Sequence, residues 1–516
     1  MLRGVLTVGG WTMLSRILGF ARDMMIAAML GAGPVADAFF VALKLPNLFR
    51  RLFGEGAFNV AFVPAFTGML AAEGPDAARQ FAREAFSVMT FWLAALTVAG
   101  VVFMPQLMTA LAPGFAADPA KFALTVTLSR ITFPYLLLIC LAALVAGVLN
   151  GMERFTAASA SYVLFNVVSM AFMIGLTPYV PTAGHALAWG VTASGIVQLA
   201  LLMVASSQAG MGLRLPRPRM TPQMRLLLRR MGPGLIGAGV TQLNLAVDVI
   251  IGSLLAPGTV SILYYADRVN QLPLGTIGVA VGTALLPTLS RQALGGEAEA
   301  AVSTLNRALE YALTLTLPAA LALLAIPGPI IGVLFGRGAF DAHSVTLSAQ
   351  ALAAYAVGLP AFVLVRVLVP GFFARGDTSM PVKIGTSMVG LNLALNLAFM
   401  VPLQHLGPPL ASSLAAWCNV AALAVILYRR GHLAVDTGLR KVVPRMLLAG
   451  FVMVAVLLGL ERGVYAPLAA IGGVRWLALG ILIAGGLAAY GISGQVIGAF
   501  DLRGIGGGVW RRKARL

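Results

Sequence analysis

Charged residues and cysteines are scarce in this 516-residue chain, and their scarcity excludes several classes of protein. Asp, Glu, Lys and Arg together make up 10% of the residues, against roughly 25% in an ordinary soluble domain. The 2 cysteines and 4 histidines form no spacing typical of a disulfide framework or a zinc site. Hydrophobic residues, in contrast, make up 59%. This composition excludes a soluble globular protein, a disordered chain and a disulfide scaffold.

Long apolar runs repeat along the whole chain and predict a polytopic membrane protein. We predict fourteen spans at about 5–30, 35–68, 86–111, 123–149, 156–178, 185–206, 226–253, 258–290, 303–326, 345–373, 382–402, 408–428, 446–461 and 474–499. A backbone in lipid must satisfy its own hydrogen bonds, and the runs are too long for barrel strands, so we expect an all-α protein. Pro46 and Pro273 lie in the second and eighth spans and predict bent or broken helices there.

The basic residues predict how the chain is oriented in the membrane. There are 36 of them against 18 acidic residues, and 8 fall inside spans. Of the other 28, we assign 24 to the termini and the even-numbered loops. Only Lys121, Arg337, Arg462 and Arg475 fall in odd-numbered, outer loops. Because cytoplasmic loops are enriched in Lys and Arg, we expect both termini in the cytoplasm. The basic loops then favour contact with anionic lipid over nucleic-acid binding.

Three pairs of similar segments indicate an internal repeat. They are Leu30–Val35 with Leu255–Val260, Ala57–Pro64 with Ala280–Pro287, and Phe155–Asn166 with Pro381–Asn392, at offsets of 225, 223 and 226. A duplicated six-span unit explains them, and chance similarity among helices rich in alanine, leucine and glycine is the alternative. Because six is even, the copies would share one orientation and be related by a pseudo-twofold axis along the membrane normal.

The repeat predicts how the chain is divided. We expect an N-lobe of six helices at 1–206, a basic cytoplasmic linker at 207–225, a C-lobe of six helices at 226–430, and two C-terminal helices with a basic tail at 431–516. Transporters built from such repeats carry their substrate site between the lobes, near the membrane midplane.

Six of the 8 basic residues inside spans lie in the first, second and eighth spans, where they outnumber the acidic residues. They are Arg16, Arg22, Lys44, Arg50, Arg51 and Arg268, against Asp23, Asp37, Glu55 and Asp267. A charge at the centre of a spanning helix costs about 2.5–3.5 kcal/mol, so these side chains must pair, reach the interface or line water. Seven-residue spacings place Arg16 with Asp23, and Asp37 with Lys44, on shared helix faces. Two interpretations stay open, namely structural ion pairs and a basic central cavity.

A basic cavity at membrane depth predicts an anionic substrate, since the guanidinium group suits phosphate or carboxylate oxygens. The chain has no GxxxxGK[ST] motif, so we expect no bound nucleotide. A membrane glycosyltransferase would need carboxylates or a nucleophile on an outer loop, where this chain has only acids far apart in sequence. A membrane scaffold would leave the intramembrane arginines unexplained.

Several motifs resemble those of the MurJ (MviN) family of bacterial lipid II flippases. They are SRILGFARD at Ser15–Asp23, DAFFVALKLPNLFRRLFGEGAF at Asp37–Phe58, APGF at Ala112–Phe115, YYADR at Tyr264–Arg268 and VPGFFAR at Val369–Arg375. The resemblance covers roughly residues 5–430. It implies a fourteen-helix member of the multidrug/oligosaccharidyl-lipid/polysaccharide exporter superfamily. It also implies that lipid II, undecaprenyl-diphosphate-MurNAc-pentapeptide-GlcNAc, is flipped from the inner to the outer leaflet of the cytoplasmic membrane by alternating access.

The resemblance also implies site residues. The family's functional arginines correspond to Arg16, Arg22, Arg50 and Arg268, with Asp23, Asp37, Lys44, Arg51, Glu55 and Asp267 as supporting charges. Some members are similar to sodium-coupled transporters, so a cation site would use Asp248, Asn392 and Asn396, with helix packing by the asparagines as the alternative. Gln271 departs from relatives that carry Glu after the YADR motif.

The remaining implications concern cofactors and partners. The resemblance implies no cofactor and no metal, with coupling to the membrane potential or to a monovalent cation. It implies lipid II and bilayer lipids as partners, and other cell-wall synthesis proteins as possible ones, but no nucleic acid and no nucleotide. The alternatives are a flippase for another lipid-linked oligosaccharide and a drug/cation antiporter of the same superfamily, whose cavity should be acidic or apolar.

Overall fold

The structure, a computed structural model, describes residues 2–51, 58–213, 217–434, 436–471 and 473–500. These residues form nineteen α-helices, and none of them lies in a β-strand. The helices are α1 (Leu2–Leu30), α2 (Pro34–Phe49), α3 (Phe58–Glu73), α4 (Pro75–Val102), α5 (Met104–Leu111), α6 (Pro119–Thr132), α7 (Tyr135–Gly151), α8 (Phe155–Leu176), α9 (Ala183–Gln208), α10 (Pro222–Leu254), α11 (Thr259–Leu294), α12 (Ala298–Ala325), α13 (Pro327–Leu334), α14 (Ala342–Phe373), α15 (Ser379–Phe399), α16 (Gly407–Arg429), α17 (Thr437–Leu460), α18 (Ala466–Ala470) and α19 (Arg475–Ile497). The expected all-α fold is confirmed, because each long apolar run satisfies its backbone hydrogen bonds within a helix.

Ten helical segments among the described residues are long and apolar enough to cross a membrane. They are Pro75–Val102, Pro119–Gly151, Phe155–Tyr179, Ala183–Gln208, Ala298–Ala325, Ala342–Phe373, Ser379–Phe399, Gln404–Arg429, Gly438–Ala470 and Arg475–Ile497. Each overlaps a predicted span. The other four predicted spans coincide with α1, with α2 and α3 together, with α10 and with α11. These four include the helices that carry the predicted intramembrane site charges, and the count of fourteen crossings stays a prediction.

The prediction of a bent or broken helix at Pro46 and Pro273 is resolved only in part. In the second span, α2 ends at Phe49 and α3 begins at Phe58, and residues 52–57 lie outside the described residues, so a break there stays a prediction. Pro46 lies inside α2, three residues before its end. The eighth span is not broken, because α11 runs from Thr259 to Leu294 through Pro273. A proline removes only one backbone hydrogen bond of a helix, and α11 is long enough to continue on both sides of it.

The helix boundaries repeat along the chain at nearly the offset of the similar segments. α2 begins at Pro34 and α11 at Thr259, 225 residues later. Five further helices, α4, α5, α6, α8 and α9, are followed after 223 or 224 residues by the starts of α12, α13, α14, α15 and α16. The two short helices of eight residues, α5 and α13, occupy the same place in this order. Chance similarity between apolar helices does not account for such a match, so the helix order supports the duplication.

The chain divides into two compact units. Unit 1 comprises Met1–Ser261 together with Arg337–Phe340, and unit 2 comprises Ile262–Gly336 together with Asp341–Leu516. α10, which we predict to be the first helix of the C-lobe, packs against α3 and α4 and belongs to unit 1. The predicted lobes are defined by the sequence repeat, whereas the two units are defined by which residues pack together. The lobe boundaries therefore stay a prediction.

Each unit has its own apolar core. In unit 1, the ring of Phe62 on α3 stacks on Phe58, Phe66 and Phe81 at 5.0 to 5.8 Å between ring centres. In unit 2, buried side chains of α11, α12, α14 and α16 form one cluster. A second cluster joins α17 and α19 to α13. Burial of these apolar side chains stabilises the packing of the helices. The charged residues project from the same helices.

Candidate substrate-binding site

Arg22 and Asp23 form an ion pair on α1. The Nη2 atom of Arg22 lies 2.9 Å from Oδ1 of Asp23, and the two side chains are 15% and 0% exposed. The guanidinium group also lies 5.2 Å from the ring centre of Phe165 on α8. A buried carboxylate is costly without a partner, and Arg22 supplies one. The ion-pair interpretation therefore holds for these two residues, while the substrate role of Arg22 stays a prediction.

Arg16 lies on the same helix, and its side chain is exposed. The side-chain amide of Asn166 on α8 donates to the backbone carbonyl of Ser15 at 3.2 Å. Asn166 is buried, so this bond fixes the turn of α1 that carries Arg16. At about 1.5 Å per residue, Arg22 lies about 12 Å and Arg16 about 21 Å from the end of α1 at Leu30.

Asp37 is the centre of a buried polar cluster in unit 1. Its Oδ2 atom accepts hydrogen bonds from Nζ of Lys121 and from the amide of Gly258, both at 2.7 Å. Its Oδ1 atom accepts from the amide of Ser261 at 2.9 Å and from the Ser261 hydroxyl at 2.8 Å. Gly258 directly precedes α11 and Ser261 lies in its first turn, at the helix start where amides have no partner within the helix. The Asp37 carboxylate therefore caps this helix start and complements its dipole.

Lys121 lies in a helix and not in a loop, which corrects the loop position predicted from the sequence. Helix α6 begins at Pro119, and the Lys121 side chain is 6% exposed within it. Its Nζ atom lies 3.8 Å from the ring centre of Phe115, close enough for a cation–π contact. Helical spacing related Asp37 to Lys44 and missed this partner, because Lys121 is 84 residues away in the chain.

The other predicted charges of the second span are Lys44, inside α2, and three residues that follow α2 in sequence. Lys44 and Arg50 are half-buried and Arg51 is exposed. The Nε atom of Arg50 donates to Oδ1 of Asn47 at 3.3 Å. Glu55 lies outside the described residues. Arg50 directly follows the last residue of α2, and Arg51 is the last residue described before Phe58.

Asp267 and Arg268 lie on α11 in unit 2, and both are half-buried. The side-chain amide of Gln271 donates to Oδ2 of Asp267 at 2.6 Å. Gln271, the departure from the family pattern, thus binds the acidic neighbour of Arg268. Tyr265 is fully buried, and its ring centre lies 5.1 Å from that of Phe335. This packing anchors the turn of α11 that carries Arg268.

One further arginine of unit 2 contacts α11. Nη1 of Arg366 on α14 donates to the backbone carbonyl of Leu274 at 3.3 Å. Gly278 leaves room for this side chain, since a Cβ there would lie 3.0 Å from Cδ of Arg366. The sequence placed Arg366 inside a span but gave no signal that it packs on the helix of Arg268.

The predicted ligands of a cation site belong to both units of the chain, two to unit 2 and one to unit 1. Asn392 and Asn396 lie on α15 in unit 2, and both are buried. The Asn396 amide donates to the backbone carbonyl of Asn392 at 3.1 Å and also to its side-chain oxygen. The Asn392 amide donates to Oγ of Ser412 on α16 at 3.2 Å. These bonds favour the helix-packing alternative. Asp248 lies on α10 in unit 1, and the cation site stays a prediction.

A charged cluster follows α14 and α16, at the predicted cytoplasmic side of unit 2. Nη1 of Arg430 lies 2.6 Å from Oδ2 of Asp377, and the amide of Met380 donates to Oδ1 of Asp377 at 3.0 Å. The hydrogen bond from Arg430 is the largest cause that lowers the pKa of Asp377 to about 2. Burial lowers the pKa of the nearby His432, and the charges of Arg375 and Arg430 lower it further. Sequence spacing did not reveal this cluster, because Asp377 and Arg430 are 53 residues apart.

The chain is similar to known proteins over most of its length. The sequence profile described as lipid II flippase MurJ matches residues 26–471. The chain is 45% identical over 457 residues to the probable lipid II flippase MurJ of Rhizobium meliloti (strain 1021), with 87% of this chain and 85% of that protein covered. The chain belongs to the lipid II flippase MurJ family. It is also 42% identical to the probable MurJ of Rhizobium tropici over 97% of this chain and 95% of the relative.

Solved structures show the same fold. A structure of lipid II flippase MurJ in an inward closed conformation matches with a TM-score of 0.77 at 24% identity, over 95% of this chain and 98% of that one. An inward-facing multidrug resistance MATE family transporter of the MOP superfamily matches with a TM-score of 0.68 at 13% identity, over 83% and 96% of the two chains. At these identities the matches concern the fold alone. MurJ membership confirms the resemblance and makes the chain a multi-pass protein of the bacterial inner membrane, a transporter rather than an enzyme.

Proposed function

We propose that the chain flips lipid II from the inner to the outer leaflet of the cytoplasmic membrane. The observation that carries this proposal is the 42% identity to a probable lipid II flippase over 97% of the chain. The relative aligns over 95% of its own length, so the similarity extends over nearly all of both sequences. Both termini lie in the cytoplasm in this proposal, in accord with the distribution of basic residues.

The proposed mechanism is alternating access around the diphosphate of the substrate. Arg16, Arg22, Arg50 and Arg268 contact the diphosphate and sugars, because guanidinium groups bind phosphate oxygens bidentately. The ion pair with Asp23 and the contact with Phe165 support the role of Arg22, since they fix the orientation of its guanidinium group. The polyprenyl tail stays in lipid beside α17 and α19, whose outer faces carry exposed apolar side chains.

The energy source in this proposal is the membrane potential, with a monovalent cation as the other candidate. An inside-negative potential favours outward movement of an anion by about 2.3 kcal/mol per charge per 100 mV. A diphosphate carries enough charge for this force to bias transport without a nucleotide. The proposal includes no cofactor. It places other cell-wall synthesis proteins near the outer face, where the delivered precursor is used.

The test is lipid II flipping by the purified chain in proteoliposomes, read as accessibility of lipid II in each leaflet. We expect flipping by the wild type and its loss in Arg268→Ala, because the diphosphate loses a charged partner. Arg225→Ala, at an exposed position of the basic cytoplasmic segment, is the matched control and should flip normally. Circular dichroism and thermal unfolding establish that Arg268→Ala is folded. Normal flipping by a folded Arg268→Ala variant would contradict the basic-site mechanism.

The same vesicles separate the alternatives. Another lipid-linked oligosaccharide flipped in preference to lipid II would replace the proposed substrate. A drug/cation antiporter would instead exchange an organic cation for protons or sodium, and a site built from arginines should repel that cation. Lipid II flipping without organic-cation exchange supports the proposal.

A further inference from the structure

A four-residue segment is assigned to unit 1 although its neighbours in sequence are in unit 2. This segment, Arg337–Phe340, lies in the connection between α13 and α14, and we call it the strap. The side chain of Phe340 is 2% exposed and anchors one end of the strap. The amide of Phe340 donates to the carbonyl of Arg337 at 3.1 Å, which closes the strap into a turn.

The strap binds the C-terminal end of α1 through the backbone. The amide of Ala339 donates to the carbonyl of Ala28 at 2.8 Å. Ala28 is among the last four residues of α1, whose carbonyls have no amide partner further along the helix. The strap therefore caps a helix end from a distant part of the sequence.

Two glycines permit this close backbone approach. Gly31 has a φ of 65° and Gly338 a φ of 58°, in the left-handed region that other residues rarely adopt. A Cβ on Gly31 would overlap the carbonyl oxygen of Ala339. A Cβ on Gly338 would overlap the carbonyl oxygen of Ala28. Each segment thus needs a glycine opposite the carbonyl of the other, and the two segments interlock reciprocally.

The helix end that the strap holds belongs to the helix of two proposed substrate contacts. Arg22 and Arg16 lie 8 and 14 residues before Leu30 on α1. A helix transmits a displacement of its end along its axis. A shift of the strap would therefore shift the positions of both arginines. The hydrogen bond from the Ala339 amide joins the two backbones, and such a bond can open and re-form without unfolding a helix.

We propose that Gly31 and Gly338 are positioning residues for transport. The strap closes on the end of α1 and sets the position of Arg16 and Arg22, and it opens and re-forms in each transport cycle. This inference rests on the proposed function, since it needs a substrate that the α1 arginines bind.

The test uses glycine variants with matched controls. Gly31→Ala and Gly338→Ala place a methyl group against the opposite carbonyl. Gly33→Ala is two residues from Gly31 and meets open space. Gly473→Ala has the same type of backbone strain, with a φ of 90°, but no neighbour within 4 Å. A fifth variant replaces Ala339 with the corresponding α-hydroxy acid, which removes the amide hydrogen and leaves every side chain unchanged.

Two measurements are made in proteoliposomes: lipid II flipping for every protein, and hydrogen exchange for every protein that keeps the Ala339 amide. Lipid II flipping should fall by about tenfold in Gly31→Ala, Gly338→Ala and the α-hydroxy acid variant, because a displaced helix end misplaces its binding groups. Both control variants should flip like the wild type. Hydrogen exchange of the Ala339 amide should be about fivefold to tenfold faster in the two strap glycine variants than in the wild type. Amides in the core of unit 1 should keep their protection, which a merely misfolded variant would lose.

The outcomes separate the strap from the proposed function. Failure of the wild type to flip lipid II would overturn the proposed function itself. Flipping by the wild type and equally by the folded α-hydroxy acid variant would overturn the strap as a positioning contact. Exchange of the Ala339 amide as slow as that of the core amides during turnover would mean that the strap never opens, and this would also overturn the inference. Loss of flipping only in the strap variants, with faster exchange confined to the strap, supports it.

Discussion

Nζ of Lys121 on α6 lies 2.7 Å from Oδ2 of Asp37 on α2, and both side chains are almost fully buried. The same carboxylate accepts hydrogen bonds from two amides and a hydroxyl at the start of α11. Three segments of unit 1 therefore meet at one buried charge. Replacement of both residues of such a pair by apolar ones changes the unfolding free energy little. Removal of one partner is destabilising, because it leaves an uncompensated buried charge.

The first prediction concerns this pair. Lys121→Met keeps the volume of the side chain and removes its charge, so the Asp37 carboxylate is left buried with amides and a hydroxyl only. We expect a loss of about 3–5 kcal/mol of unfolding free energy. Unfolding of the detergent-solubilised protein by denaturant measures it.

A charge-neutral double variant provides the control for the pair. Lys121→Met with Asp37→Asn should be less destabilised than the sum of the two single variants, because neither residue is then left charged and alone. Additive losses would contradict an energetic coupling between Lys121 and Asp37.

The helices could be predicted from the sequence because apolar runs in lipid have one way to satisfy their backbone. The order of the repeat could be predicted too, since short similar segments such as Leu30–Val35 and Leu255–Val260 begin matching helices. The partners of the charges could not be predicted. Helical spacing relates residues within one helix, whereas Asp37 finds Lys121, and Asp377 finds Arg430, through packing of distant segments.

The second prediction concerns acid stability through Asp377. Hydrogen bonds, first from Arg430 and then from the Met380 amide and the Ser379 hydroxyl, lower the pKa of this carboxyl from 3.8 to about 2. A group whose pKa is lower in the folded state stabilises the protein above its unfolded pKa, and this contribution is lost as the pH falls through the folded pKa. The melting temperature of the wild type should therefore fall between about pH 4 and pH 2, and the fall should be shallower in Asp377→Asn. Equal slopes for both proteins would contradict the lowered pKa of Asp377.

The third prediction concerns His432. Burial lowers the pKa of this histidine from 6.5, and the charges of two nearby arginines lower it further. The folded state then binds fewer protons than the unfolded state near this pH, so stability falls as the pH drops below about 6.5. His432→Gln should remove this part of the pH dependence of the melting temperature. His343→Gln is the matched control, because His343 is an exposed histidine of the same unit. A wild-type profile retained in His432→Gln would show that another group titrates there.

The fourth prediction separates helix packing from cation binding at α15. If Asn392 joins α15 to α16 through Ser412, then Asn392→Ala should lose about 1 kcal/mol in sodium and potassium buffers alike. Melting temperatures in the two salts measure this. A stabilisation of the wild type that is specific for sodium and absent from Asn392→Ala would instead favour the cation site.

The last prediction concerns the space that Gly278 leaves for Arg366. An alanine in an open helical position is more stable than glycine by about 1 kcal/mol, because glycine loses more backbone freedom. Gly390 on α15 has open space around it, so Gly390→Ala should show this gain. Gly278→Ala should show less, because its methyl group would lie 3.0 Å from Cδ and 3.1 Å from Nη1 of Arg366.

A double variant decides whether Arg366 is the cause of this difference. In the Arg366→Ala background the crowding is removed, so Gly278→Ala should recover the gain seen for Gly390→Ala. Denaturant unfolding of the four proteins gives the coupling energy between the two positions. A coupling energy of zero would mean that Arg366 moves away from α11 without cost, and its hydrogen bond to Leu274 would then not hold the guanidinium group in place.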